Sequence, residues 1–255
     1  MSKPIICLMG PTASGKTSLA CELVQHFPLE IISVDSAMIY REMDIGTAKP
    51  DKLTLISAPH HLIDILDPNE SYSAARFCEE VHLLCQQIFK RGKYPLLVGG
   101  TMMYFRALQQ GLSVLPPADE HIRGELLYTA QLQGWEFMHQ ELAKVDPVAA
   151  ARIHPNDTQR IQRALEVFRL SGKPLSQYFD LQTDSVTNQF INILLMPQDR
   201  QWLHQRIALR FEQMLQQGFL KPNYVICRFF PSLDPWLMIG VNTFEKGIIS
   251  HRSFI

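Results

Sequence analysis

The chain has 255 residues, a net charge of −1, 46% hydrophobic and 19% charged residues. This composition is typical of globular proteins and excludes fibrous and disordered classes. No apolar run approaches the roughly 20 residues that span a bilayer, and the N-terminus lacks a signal-peptide pattern, so we expect a cytoplasmic protein with no membrane segment. The five cysteines are scattered and never in C-x-x-C spacing, which favours buried, reduced thiols.

A phosphate-binding loop lies near the N-terminus. Residues 10–17 match the pattern G-x-x-x-x-G-K-[ST] at every fixed position, between an apolar run at 5–9 and a segment of helical character at 17–24. A loop with this pattern orients its backbone N–H groups into one concavity. Its lysine can bind phosphate oxygens, and its threonine hydroxyl can bind Mg²⁺. We therefore predict a di- or triphosphate site with Mg²⁺ as cofactor and Thr17 as the metal-binding residue, built from Gly10, Pro11, Thr12, Ala13, Ser14, Gly15, Lys16 and Thr17.

Further apolar runs predict a parallel sheet. Together with the run at 5–9, strands are predicted at 31–34, 95–98 and 190–195, with an amphipathic helix around 77–89 and a further helix at about 201–217. Such alternation indicates crossover helices, and ligands of these sheets bind beyond the carboxyl ends of the strands. The phosphate loop, Asp35 and Thr101 each follow a strand, so we expect all three to line one crevice.

Residues from 118 to about 180 are predicted to be helical, with helix starts at Asp119, Asp146 and Asp157. We predict an α/β fold with a P-loop NTPase-like parallel sheet in 1–115 and 188–220, and an inserted all-helical subdomain in 116–187. Between residues 152 and 173, five basic and two acidic side chains give a local charge of +3. This cluster is either a solvated helix face or a contact to a phosphate backbone.

Three candidate sites have more than one interpretation. Asp35 could bind Mg²⁺, act as a general base or cap the end of its strand. Thr101 could hydrogen-bond a ligand or cap the following helix. A metal site at His60-His61 with Asp64 and Asp67 is disfavoured, because no distant ligand group has a known spacing.

Five segments, in this order, resemble the tRNA dimethylallyltransferase family: GPTASGKT (10–17), SVDSAMIY (33–40), DIGTAKP (44–50), GGTMMY (99–104) and DTQRIQRALEV (157–167). The resemblance implies transfer of a dimethylallyl group from dimethylallyl diphosphate to the exocyclic amine of the adenine 3′-adjacent to the anticodon of tRNA. The phosphate loop would then hold the diphosphate leaving group with Mg²⁺.

The resemblance also implies roles for single residues. Asp35 would remove the proton of the amine, and Thr101 would hydrogen-bond near the reacting centre. Contacts to tRNA are expected from Asp35, Ser36, Ala37, Met38, Thr101, Arg123, Gln159, Arg160, Ile161, Gln162 and Arg163. We expect the chain to act as a monomer.

Two other functions fit the phosphate loop. One is a small-molecule kinase that uses ATP, with Asp35 serving Mg²⁺ or the acceptor hydroxyl. The other, ranked last, is a nucleotide-dependent switch.

The family resemblance ends near residue 220, where Lys221-Pro222 replaces the acidic helix that the family shows. We expect 221–255 to be an aberrant tail from a shifted reading frame, or a divergent one.

Overall fold

The computed structural model describes residues 3–113, 115–179 and 189–219. The expected tail at 221–255 lies outside the described residues. The chain divides into two compact units, one formed by Met1–Gln109 with Thr187–Ile255 and the other by Gln110–Val186.

The first unit contains a five-stranded sheet in which every pairing is parallel. The strand order is β3-β2-β4-β1-β5, with β1 at Ile5–Met9, β2 at Leu29–Val34, β3 at His60–His61, β4 at Tyr94–Gly99 and β5 at Phe190–Leu194. The four strands predicted from apolar runs are confirmed, with bounds that differ by no more than two residues. The two-residue strand β3 was not predicted, because two histidines carry no apolar signal.

Ten helices lie within the described residues. They are α1 (Lys16–His26), α2 (Lys52–Ser57), α3 (Ala74–Lys90), α4 (Met102–Gln110), α5 (Glu120–Gln133), α6 (Trp135–Val145), α7 (Pro147–Arg152), α8 (Thr158–Ser171), α9 (Leu175–Phe179) and α10 (Arg200–Gln216).

Helices cover both faces of the sheet. Alternate residues of a strand point to opposite faces. Accordingly, Ile32 packs in one cluster with Phe77 of α3, whereas Ile31 packs in another with Ala20 of α1. Both isoleucines are fully buried, as central strands of a doubly covered parallel sheet require. The predicted P-loop NTPase-like arrangement is therefore confirmed.

The second unit is helical over the residues that the structure describes. The carboxylates of Asp119, Asp146 and Asp157 accept hydrogen bonds from backbone N–H groups in the first turns of α5, α7 and α8, which confirms the predicted helix starts. Helix α8 ends at Gly172, whose φ of 69° suits glycine. Leu126, Leu142, Ile161, Leu165 and Val167 belong to the core of this unit.

Four cysteines are free thiols in the described residues, and Cys227 lies outside them. Burial raises the pKa of Cys7 and of Cys85 to about 12, so both stay protonated and pack as small apolar side chains. None of the described helices combines the length and the apolar character needed to cross a membrane.

Candidate active site

The phosphate loop connects β1 to α1 and has two backbone constraints. Gly15 has a φ of 93°, a region that favours glycine. A Cβ on Gly10 would lie 2.4 Å from the carbonyl oxygen of Leu195, at the end of β5. Gly15 also has no side chain with which to cap α1, so first-turn N–H groups are left for an anion.

Lys16 is held by the loop itself. Its amine donates to the carbonyl oxygen of Pro11 at 2.6 Å and to the hydroxyl of Ser14 at 3.4 Å. The Ser14 N–H also donates to Pro11. A bound phosphate would offer the amine stronger acceptors than these neutral oxygens.

A pocket of about 500 Å³ lies at the carboxyl edge of the sheet. The loop after β1, the ends of β2 and β4, the start of α1 and one face of α10 contribute to it. Residues predicted for the site that line the pocket are Thr12, Ala13, Gly15, Lys16, Thr17, Asp35 and Met38. Gly10, Pro11 and Ser14 shape the loop behind it.

Two glycines keep the space between the phosphate loop and Asp35 open. Strand β4 lies between β1 and β2 in the sheet and ends at Gly99, and Gly99 and Gly100 line the pocket without side chains. A Cβ on Gly99 would lie 1.9 Å from the carbonyl oxygen of Val34. Glycine at 99 therefore allows the ends of β2 and β4 to approach each other.

Lys16, Arg210 and Asp35 are coupled electrostatically in this pocket. Burial lowers the pKa of the Lys16 amine; the negative charge of Asp35 opposes this effect and the positive charge of Arg210 adds to it. Burial likewise lowers the pKa of the Arg210 guanidinium, and Asp35 again acts in the opposite direction. Two partly desolvated cations thus lie in the same pocket. A bound anion would stabilise the charged form of both.

Asp35 follows β2 and is fixed by its own loop. Its Oδ1 accepts hydrogen bonds from the backbone N–H groups of Ala37 at 2.9 Å and Met38 at 3.3 Å. Oδ2 takes part in neither bond and is the oxygen that an incoming group can meet. The cap and the functional interpretation of Asp35 are therefore compatible.

Thr101 connects the ends of β2 and β4. Its hydroxyl accepts a hydrogen bond from the N–H of Ser36 at 3.3 Å, so this bond ties it to the segment after β2. Ser36, Ala37 and Thr101 do not appear among the pocket-lining residues. Ala37 holds the Asp35 carboxylate, and Thr101 holds Ser36 next to it.

The residues predicted to contact RNA from the helical unit differ in exposure. Gln159 and Arg160 are exposed at the start of α8, and Gln162 donates to the carbonyl oxygen of Arg123 at 3.1 Å. Ile161 is fully buried among apolar side chains. The side chain of Ile161 packs in the core of its unit, so the predicted RNA contact at this position would be made by its backbone. Arg123 and Arg163 are both bonded to Glu166.

Helix α10 contributes pocket residues that the sequence analysis missed. Arg206, Leu209, Arg210 and Gln213 line the pocket, and their spacing of three to four residues places them on one helix face. That spacing was a signal, but only the fold shows that this face meets the phosphate loop. The segment after Gly46 also lines the pocket, through Thr47, Ala48 and Pro50.

The donor set at the phosphate loop fits a magnesium ion that is carried on a diphosphate. Thr17 offers a hydroxyl and Asp35 a carboxylate in one pocket. In the described part of the chain, no group of three His, Cys, Asp or Glu residues could hold a metal alone. Mg²⁺ commonly uses one or two protein ligands together with phosphate oxygens and water.

Three residues of the disfavoured metal site around His60 have protein partners instead. His61 Nε2 lies 3.0 Å from a carboxylate oxygen of Glu30, Asp64 pairs with Lys49, and Asp67 pairs with Arg41. His60 lines the pocket, and its buried Nε2 lacks a hydrogen-bond partner among the described residues.

Comparison with known sequences gives a family match. The chain matches the family described as IPP transferase over residues 38–244, which is more than half of its length and reaches past residue 220. A tRNA dimethylallyltransferase of Legionella pneumophila (strain Lens) is 62% identical over 221 residues, which are 87% of this chain and 71% of the relative. One from Nitrosomonas europaea is 55% identical over 220 residues, 86% of this chain and 69% of the relative.

Solved structures agree with this match. The full-length tRNA isopentenylpyrophosphate transferase of Bacillus halodurans is 35% identical with a TM-score of 0.61, covering 98% of this chain and 80% of that one. A eukaryotic dimethylallyltransferase acting on tRNA is 30% identical with a TM-score of 0.70, covering 91% of this chain and 56% of that one. The chain therefore belongs to the IPP transferase family.

Proposed function

We propose that this chain transfers a dimethylallyl group from dimethylallyl diphosphate to the exocyclic amine of the adenine 3′-adjacent to the anticodon in tRNA. The observation that carries the proposal is the pocket in which the phosphate loop, Lys16 and Arg210 share one space with Asp35. Relatives named tRNA dimethylallyltransferase, 55–62% identical to this chain, support the choice of reaction.

The reaction needs an anion site at the leaving group. The bond between the allylic carbon and the diphosphate oxygen breaks, and the diphosphate departs with the electron pair. Backbone N–H groups of the loop, Lys16 and Arg210 stabilise the charge that develops on it. Burial makes this stabilisation stronger than it would be in water.

The acceptor side needs a base, because an adenine amine is a weak nucleophile. The amine nitrogen forms the new bond to the allylic carbon, and one of its protons passes to Asp35. The hydrogen bonds from Ala37 and Met38 hold Oδ1, so the orientation of the carboxylate is set before substrate arrives. A positioned base contributes roughly 10²- to 10⁴-fold to a rate.

Magnesium is proposed as the cofactor, with the Thr17 hydroxyl as its protein ligand and Asp35 nearby. When bound, the ion would neutralise diphosphate charge and so favour departure of the leaving group. The chain's own contribution is to place the diphosphate in the loop and to keep Lys16 beside it.

The tRNA substrate must present its adenine unstacked, because a base stacked between its neighbours cannot enter a pocket formed by the carboxyl edge of the sheet. We propose that Gln159, Arg160, Gln162, Arg163 and Arg123 contact RNA from the helical unit, and that Ser36, Ala37 and Met38 lie near the target base. The proposed enzyme acts as a monomer in the cytoplasm.

One assay tests the proposal. The purified chain is incubated with unmodified tRNA, labelled dimethylallyl diphosphate and Mg²⁺, and the nucleosides are analysed. We expect label on adenosine without any requirement for ATP. Transfer of the γ-phosphate of ATP to a small acceptor, with no label on tRNA, would instead favour the kinase function that the named relatives do not support.

A further inference from the structure

Glu166 of α8 is fully buried and accepts four hydrogen bonds within the helical unit. Its Oε1 accepts from the backbone N–H of Asp119 at 2.8 Å and from Arg123 Nε at 2.9 Å. Its Oε2 accepts from Arg163 Nη1 at 2.6 Å and from Arg123 Nη2 at 3.3 Å. One buried carboxylate therefore fixes two guanidinium groups from two helices.

The two arginines remain accessible. The side chain of Arg123 is 44% exposed and that of Arg163 is 29% exposed, whereas that of Glu166 is 0% exposed. Arg163 also donates to the carbonyl oxygen of Pro116 at 2.7 Å, so its plane is fixed at both ends. An arginine that is already immobilised loses little further conformational entropy when it binds a ligand.

The charges of the cluster do not cancel. Burial acts to raise the pKa of Glu166, but the hydrogen bonds from Arg163, Asp119 and Arg123 outweigh it and hold the pKa below its usual range. The carboxylate is thus ionised, and with two arginines the cluster has a net charge of +1. A buried ion pair contributes little net stability, since apolar residues of the same volume often do as well.

Two neighbouring residues add further hydrogen-bond donors, and one of them, Arg160, is ion-paired with Asp157 at 3.3 Å. Arg160 is exposed and lies three positions before Arg163, and exposed Gln159 lies four positions before it, so all three share one face of α8. Fixed guanidinium forks beside a further arginine and an amide suit an anion with several oxygens, such as a phosphodiester.

We propose that Glu166 is a positioning residue that holds Arg123 and Arg163 as a preset, two-guanidinium site for a phosphate of the RNA substrate. This inference rests on the proposed function, because it takes tRNA as the RNA that binds. It assigns the buried carboxylate to RNA binding and not to stability alone.

The test is tRNA binding by the full chain and its E166Q variant across a range of salt concentrations. Glutamine has the same shape but no charge, so the cluster would rise to +2, and charge alone would predict tighter binding. Positioning predicts the opposite: a dissociation constant raised about tenfold, with a salt slope shallower by about 0.7 to 0.9 for each phosphate that the variant no longer binds. The dissociation constant for dimethylallyl diphosphate should stay within twofold.

Matched variants keep the inference falsifiable. Glu125 pairs with Arg169 on the exposed side of the same helices, so E125Q adds the same charge and should not weaken tRNA binding. If thermal unfolding shows that E166Q does not fold, the variants R123K and R163K test the inference instead. Lysine keeps the positive charge but cannot form the paired hydrogen bonds of a guanidinium group. Each should weaken tRNA binding about fivefold or more.

Two results would overturn the inference: an E166Q protein that binds tRNA as tightly as the parent, or, where E166Q is unfolded, lysine variants that do so. Failure of the proposed function looks different. If the parent chain binds tRNA and E166Q does not, but neither transfers label from dimethylallyl diphosphate, the positioning role stands and the reaction does not.

Discussion

The Lys16 amine and the Asp35 carboxylate line one pocket, although their loops follow strands that are separated by β4 in the sheet. Burial lowers the pKa of the Lys16 amine, and the negative charge of Asp35 offsets part of that effect. An anion site and a proton acceptor therefore share one space, as a transfer between a diphosphate and an amine requires.

Asp35→Asn separates binding from chemistry. The amide oxygen can still accept the hydrogen bonds from Ala37 and Met38, so the turn should persist, but the base is lost. We expect transfer to tRNA to fall by about 10²- to 10⁴-fold while diphosphate binding changes little. Single-turnover transfer and equilibrium donor binding measure the two effects. Asp67→Asn, which alters an exposed partner of Arg41, is the control, and unimpaired turnover in Asp35→Asn would remove Asp35 from the mechanism.

Lys16→Ala should weaken donor binding itself. The variant removes a partly desolvated cation from the phosphate loop, and charge-assisted hydrogen bonds are worth about 1.5 to 3 kcal/mol each. We therefore expect a roughly 10- to 100-fold higher dissociation constant for dimethylallyl diphosphate, measured by calorimetry. Lys52→Ala, at the exposed start of α2, should bind the donor normally. Unchanged affinity in the Lys16 variant would count against the loop as the diphosphate site.

Gly10→Ala should destabilise the sheet as well as the loop. The new Cβ would lie 2.4 Å from the backbone oxygen of Leu195, so β1 and the chain after β5 must separate. Overpacking of this kind costs about 1 to 3 kcal/mol. Gly124→Ala in α5 meets no atom within 4 Å and should stabilise by about 0.5 to 1 kcal/mol. Urea unfolding of both variants checks the contrast, which equal midpoints would contradict.

The interactions of Glu30 predict that the folded state loses stability at acid pH. Hydrogen bonds from Arg91, with that from His61 and the charges of Arg91 and Lys93, lower the pKa of Glu30 to about 2 from 4.5, despite some desolvation. A lowered pKa in the folded state means that the stabilisation is complete above about pH 4.5 and is lost as the pH falls towards 2. Glu30→Gln should therefore lose less stability than the parent between pH 5 and pH 3, as measured by thermal unfolding. Glu136→Gln, at an exposed position outside this cluster, is the control.

The fold could be predicted where the sequence carries continuous patterns. Apolar runs located four strands, and the carboxylates of Asp119, Asp146 and Asp157 located helix starts, because both signals are local. Strand β3 escaped prediction because it is two residues long and its pairing with β2 is a tertiary contact.

The candidate site was predictable only in part, for a similar reason. The phosphate loop is a contiguous motif, so its residues could be named from the sequence. Arg206 and Arg210 lie almost 200 residues later and reach the same pocket only through the return of β5 to β1. The burial of Ile161 likewise depends on which face of α8 packs inward, and proximity to arginines in the sequence did not reveal it.

The parallel pairing of β5 with β1 has a consequence for synthesis. The first strand to leave the ribosome must wait for a partner that is made about 185 residues later, after every residue of the helical unit. Until then one edge of β1 is open, whereas all residues of the helical unit have already been made. The loop that would bind the donor reaches its final surroundings only when the second segment of its unit arrives.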